Sequence, residues 1–174
     1  MDVSTINWGS VADWVSGIGS LSAAIVALYI AKISQRVRLR GYCGYTVRLG
    51  GGMLKQNLVS IDITNIGSRG TVINNIGIRI GLFRRRYGII PVDRDNYSDK
   101  IPMLLNDGDQ GHWCIPLDEK FSWINGLCKD FIKSPLDIAT MQIQVHTTNG
   151  GTQNIRPNKN LRKMFFESLN KKTE

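Results

Sequence analysis

The sequence predicts a mainly β protein, an immunoglobulin-like β-sandwich with two short helices, preceded by a single N-terminal transmembrane helix. Three observations predict it. From Trp14 to Ala31 the run WVSGIGSLSAAIVALYIA holds eighteen residues without a charge. Beyond residue 41, short stretches of alternating apolar and polar residues are separated by Asn, Gly and Asp turns. Two further segments space their apolar residues as a helix does. The boundaries that follow are a short external N-terminus at 1–13, a transmembrane helix at 14–31, a basic juxtamembrane collar at 32–40 and a cytosolic domain at 41–174 ending in a helix.

Eighteen helical residues reach about 27 Å, close to the hydrocarbon thickness of about 30 Å. A cleaved signal would carry its cations ahead of the apolar run, but here Asp2 and Asp13 precede it and the cations follow. An interfacial helix would need a charged face, and this one offers only serines and glycines. A buried helix of a soluble protein stays open as the alternative, because Ser16, Gly17, Gly19, Ser20 and Ser22 dilute the apolar character. No Lys or Arg precedes Trp14, whereas Lys32, Arg36, Arg38, Arg40 and Arg48 follow within seventeen residues of Ala31. The positive-inside rule then puts the N-terminus outside and the domain in the cytoplasm, with Trp8 and Trp14 at the outer interface and Tyr29 at the inner one. Cys43, Cys114 and Cys128, odd in number and irregular in spacing, suit reduced thiols in such a compartment.

The apolar segment has two unlike faces. Gly19, Ala23, Ala27 and Ala31 recur every fourth residue beside Ser16, Ser20 and Ala24, while Trp14, Ile18, Leu21, Ile25 and Leu28 lie towards the other side. Small residues at this spacing let helix backbones approach closely, which points to a homo-oligomer or to docking on a partner span. Small residues are also common in membrane helices generally, and that simpler explanation stands beside the first.

In the domain, Tyr42 to Leu49 makes a first strand before the Gly50-Gly51-Gly52 turn. Leu58 to Asn65 alternates Val59, Ile61 and Ile63 with Ser60, Asp62 and Thr64, a strand with one buried face. Thr71 to Ile80 continues as β, with Asn74-Asn75 predicting a bulge or a bend. Asn106-Asp107-Gly108-Asp109 turns into a strand at His112 to Leu117. Ala139, Met141, Ile143 and Val145 alternate with polar residues, and Asn149-Gly150 signals a hairpin to Gln153–Arg156. Helical spacing appears in Asp118 to Ile132, through Phe121, Ile124, Cys128 and Phe131, and in Asn158 to Leu169, through Leu161, Phe165 and Leu169. Seven or so strands at this spacing suit a sandwich.

The run from Ile61 to Gly77, with its Thr64-Asn65-Ile66-Gly67 turn, resembles the strand-turn-strand core of small bacterial and prophage-associated proteins. These join one N-terminal membrane helix to a cytosolic β-sandwich, and their function is largely unknown. The likeness extends to the Leu104-Leu105-Asn106-Asp107-Gly108 turn and to Arg156-Pro157-Asn158-Lys159. It implies an architecture and a bacterial or prophage setting, which with the apolar helix would place the protein at a bacterial inner membrane, and it transfers no active-site residue.

Reactive residues are sparse. His112 and His146 are the only neutral-pH bases, and neither adjoins a nucleophile in a known motif. His112, Cys114, Cys128 and His146 are zinc-ligand types but include no Cys-x-x-Cys pair, so no metal or other cofactor is expected. Asp93, Asp95 and Asp99 read as a solvated loop, and the triple glycine lacks a phosphate-binding lysine. An enzyme is therefore not expected.

Charge is more informative. The chain is formally +8, and residues 41–174 hold eighteen basic and twelve acidic side chains. Arg84, Arg85 and Arg86 lie between Phe83 and Tyr87, read as a hairpin tip, and Lys159, Arg162, Lys163, Lys171 and Lys172 decorate the last helix. With Lys32, Arg36, Arg38 and Arg40 of the collar, these arginines are candidates for lipid headgroup or anion contact. Nucleic acid and plain solvation are the competing uses of the same charge. The expected function is a non-enzymatic, membrane-anchored interaction or effector protein with a protein partner, in superinfection exclusion or anti-phage defence, the alternative being a membrane-tethered nucleic-acid binder.

Overall fold

The computed structural model describes residues 11–34, 36–50, 53–92 and 98–171. Asp2, Trp8, Gly51, Gly52, Asp93, Asp95 and Lys172, which the sequence reading invokes, lie outside them. The chain divides into two units, Met1–Arg36 and Val37–Glu174.

The first unit is one helix, α1 (Val11–Ser34). It is six residues longer than the uncharged run because Asp13 and Lys32 end the run without ending the helix. Asp13 lies in the first turn and Lys32 in the last, where each charge complements the helix dipole. Its 24 residues extend about 36 Å, enough to cross a hydrocarbon core. Every residue from Val11 to Ile33 is exposed, Ile18, Leu21, Ile25 and Leu28 among them. Among the described residues this helix alone is long and apolar enough to span a membrane, and it is not a core helix of the unit it belongs to.

Among its described residues the second unit contains two antiparallel sheets and three helices. Strands β1 (Leu39–Gly50) and β2 (Met53–Asn65) form a long hairpin, and β6 (Gln110–Leu117) pairs with the other edge of β2. The second sheet has the order β4 (Arg86–Ile89), β3 (Thr71–Ile80), β7 (Gln142–Thr147), β8 (Thr152–Ile155). A short β5 (Met103–Leu105) pairs with the first residues of β3, so β3 has three partners. One core joins the sheets: Val59, Ile61, Ile63, Trp113 and Ile115 from the first meet Ile73, Ile76, Ile78, Ile80, Ile143 and Val145 from the second. Each such side chain contributes about 1.5–3 kcal/mol on leaving water.

Local chemistry accounts for the elements. The bulge at Asn74 breaks the register between Ile73 and Asn75 and moves the buried phase from Ile73 to Ile76. Gly108 and Gly150 take the left-handed conformation in their turns, at φ 80 and 73. Helix α2 (Ser122–Asp130) starts from Phe121 at φ 50, and the Asp118 carboxylate accepts the Ser122 N–H at 2.6 Å. The hydrogen bonds from Ser122 hold the Asp118 carboxyl below its ordinary pKa. Helix α4 (Lys159–Lys171) buries Leu161, Phe165 and Leu169 and packs on α2 and β1. Where β1 meets β8, Ile155 occupies the space that a side chain at Gly41 would need.

Three elements differ from the sequence reading. Ala139 is not in a strand but in a helix, α3 (Pro135–Ala139), because Ser134 and Asp137 form a reciprocal capping box with Pro135 at the first helical position. The following strand therefore starts at Gln142. The supposed tip at Arg86-Tyr87 is strand β4, and β5 was not expected at all, its three residues being too short for periodicity to register.

Candidate functional site

The arginine run is divided by the fold. Gly81, at φ 87, opens the turn after β3, and its N–H donates to Thr140 Oγ1 at 3.1 Å. Residues 82–85 then project from the sheet: Leu82 is 68% and Phe83 95% exposed, and Arg84 and Arg85 are exposed beside them. Tyr87 and Ile89, two apart on the edge strand β4, are exposed as well. Arg86 turns inward. It donates to Asp137 Oδ2 at 2.7 Å and to the Phe131 carbonyl at 2.8 Å, with its guanidinium 5.7 Å from the Phe131 ring centre. Burial raises the Asp137 pKa, but the Lys133 N–H, the hydrogen bond and charge of Arg86, and the Ser134 N–H outweigh it, so the carboxyl stays below its ordinary range. Of the three arginines, Arg84 and Arg85 are thus the exposed pair, joined to an apolar tip that a count of charges does not reveal.

The remaining predicted residues lie apart. Lys32 is on α1, Arg36 and Arg38 are in the connection that follows, and Arg40 is on β1, all exposed. Gly19, Ala23, Ala27 and Ala31 lie on exposed turns of α1. On α4, Lys159, Lys163 and Lys171 are exposed, and Lys163 lies 3.8 Å from Glu167. The four zinc-type residues are not assembled: Cys128 lies buried on α2, its thiol 3.6 Å from the Phe165 carbonyl, and His146 on β7 contacts Thr152 Oγ1 at 3.3 Å.

His112 and Cys114 do come together, with a third residue that sequence reasoning missed. Alternation sends Gly111, Trp113 and Ile115 to the core and His112 and Cys114 to the opposite face of β6. The register pairs His112 with Asp62 and Cys114 with Ser60 on β2. His112 Nδ1 is hydrogen-bonded to Asp62 Oδ1, and His112 Nε2 lies 3.0 Å from Cys114 Sγ. Arg48 of β1 reaches the same sulfur with Nη2 at 3.9 Å. The backbone is clamped alongside: the Cys114 N–H donates to Ser98 Oγ at 3.0 Å and the His112 N–H to Asp99 Oδ2 at 2.7 Å. The imidazole is 42% exposed, whereas Cys114 is 1% exposed. Carboxylate, imidazole and thiol thus make successive contacts across the face of β2 and β6. On the helical side, a cleft of about 380 Å³ is lined by Phe121, Ile124, Asn125, Met164 and Glu167, without a comparable reactive group.

No family model matches the chain, and no curated protein matches it. A solution structure described as a late embryogenesis abundant (LEA) protein is similar at 14% identity over 83% of this chain and 81% of that one, with a TM-score of 0.31. A likeness of that degree carries no argument about fold type or function.

Proposed function

We propose that the chain is a single-pass, membrane-anchored interaction protein without an enzymatic step, its Val37–Glu174 unit an immunoglobulin-like sandwich on the cytoplasmic side of a bacterial membrane. The observation that supports this best is the tip at 82–85. Leu82 and Phe83 are of the kind that enters a bilayer interface, at about 1.5–3 kcal/mol each on leaving water, and Arg84 and Arg85 are placed for anionic headgroups at about 1 kcal/mol each. Tethering by α1 makes this second contact intramolecular, so even a weak affinity suffices to hold the unit on the leaflet. In this reading β4 and the tip meet lipid, leaving other surfaces for a protein partner, and the prophage setting and a role in exclusion or defence belong to the same proposal.

The test uses the fragment starting at Val37, freed of the anchor. It is expected to bind vesicles containing phosphatidylglycerol, to ignore phosphatidylcholine vesicles, and to lose binding as salt rises. Phe83→Ser should weaken binding about tenfold or more, and replacing Arg84 and Arg85 by Ala should flatten the salt dependence. A stronger preference for DNA or RNA at equal salt would replace this reading with a nucleic-acid-binding one.

A further inference from the structure

We propose that Cys114 is an activated thiol, held as a thiolate by His112 and Arg48, and that its substrate is a small hydroperoxide. Asp62 accepts the Nδ1–H of His112, which fixes the ring tautomer and leaves Nε2, 3.0 Å from Sγ, as the base that takes the thiol proton. Arg48 Nη2 at 3.9 Å adds a second positive charge beside the sulfur. Asp62 acts through His112 and is a positioning residue. Asp99, a further acid among the described residues of this edge, accepts the His112 backbone N–H.

The surroundings select the electrophile. With Cys114 1% exposed, a polymer or a bulky acyl group has no approach to the sulfur, which leaves the smallest electrophiles as candidate substrates. The Cys114 and His112 N–H groups already serve Ser98 and Asp99, so neither is placed to hold an oxyanion. A peroxide needs no such hole. The thiolate attacks one peroxide oxygen, an S–O bond forms as the O–O bond breaks, and the imidazolium of His112 returns its proton to the departing oxygen. Thiolate, hydrogen peroxide and imidazolium thus give sulfenic acid, water and imidazole, with sulfur oxidised by two electrons and peroxide reduced by two. Cys43 faces the core from β1 and Cys128 lies beneath α4, so neither adjoins the product. The reaction is stoichiometric, a site of modification rather than of turnover, and it stands independently of the membrane reading.

The full-length protein in detergent carries its own controls. Burial pushes the Cys43 thiol up to about 12, with Asp62 adding to the shift, so Cys43 should stay inert at neutral pH. Substoichiometric hydrogen peroxide, then unfolding in the presence of dimedone and peptide mapping, should mark Cys114 ahead of Cys43 and Cys128. The rate at which hydrogen peroxide oxidises Cys114 should fall less than threefold from pH 8 to 6.5, where an ordinary thiol loses roughly twentyfold. His112→Gln should restore the ordinary profile. Equal marking of the three cysteines, or an ordinary profile in the unmodified protein, overturns the proposal whatever the variant's stability. A profile unchanged by His112→Gln in a variant that keeps its melting temperature overturns the relay.

Discussion

Asp137 illustrates how one side chain reorganises a surface that its neighbours in sequence do not foretell. Its Oδ2 accepts from the Lys133 N–H at 3.0 Å, the Ser134 N–H at 3.1 Å and Arg86 at 2.7 Å. Asp137→Asn is expected to cost about 1–3 kcal/mol, since charged hydrogen bonds at a nearly buried carboxylate are lost. Because its folded pKa is depressed, the stabilisation is complete above the unfolded value of about 3.9 and disappears as pH falls through the folded value. Urea melts should therefore separate the native and variant proteins fully at pH 6 and progressively less below pH 4. At this scale the sequence is legible only where partners are near. That His112 and Cys114 share a strand face follows from their spacing, but Asp62 joins them only through the β2–β6 register, fifty residues away. Arg86 likewise separates from Arg84 and Arg85 only because Asp137 lies opposite.

Among the elements, long and strongly patterned segments were the most legible. Residues 71–80 match β3 end to end, and the bulge falls where two asparagines interrupt the apolar phase. The short pieces were not legible, because β4 and β5 draw their stability from pairing with β3 rather than from any pattern of their own. The strand predicted from Ala139 failed for the opposite reason: a capping box imposed a local helix on an alternating run. For α1 the prediction concerns its small-residue stripe. Replacing Ala23 and Ala27 together by Leu adds bulk without lowering hydrophobicity, and should abolish self-association in a membrane two-hybrid assay if backbones touch there. Undiminished association would assign the contact to another surface.

For the molecule as a whole, the one-sided placement of Lys32, Arg36, Arg38 and Arg40 after the uncharged run predicts a single crossing with the C-terminus inside. A C-terminal fluorescent-protein fusion should be bright and an alkaline phosphatase fusion inactive, and the full-length chain should leave membranes only with detergent. The reverse pair of fusion phenotypes would invert the topology. The division into an apolar helix and a sheet-rich unit was readable from composition and turns, whereas the joining of two sheets around one core depended on pairings that no single segment encodes.

The partners of β3 have a consequence for synthesis. Strand β3 is made early, yet β7 pairs with it only after Thr147, more than a hundred residues beyond the end of α1. At about 5–20 residues per second, that interval lasts roughly 6–20 s. Throughout it the nascent chain presents a finished apolar helix and an unfinished sheet, so the helix is available to other partners before the two sheets can close on their core. The order of the strands thereby gives the apolar helix a head start over the folding of the sheets.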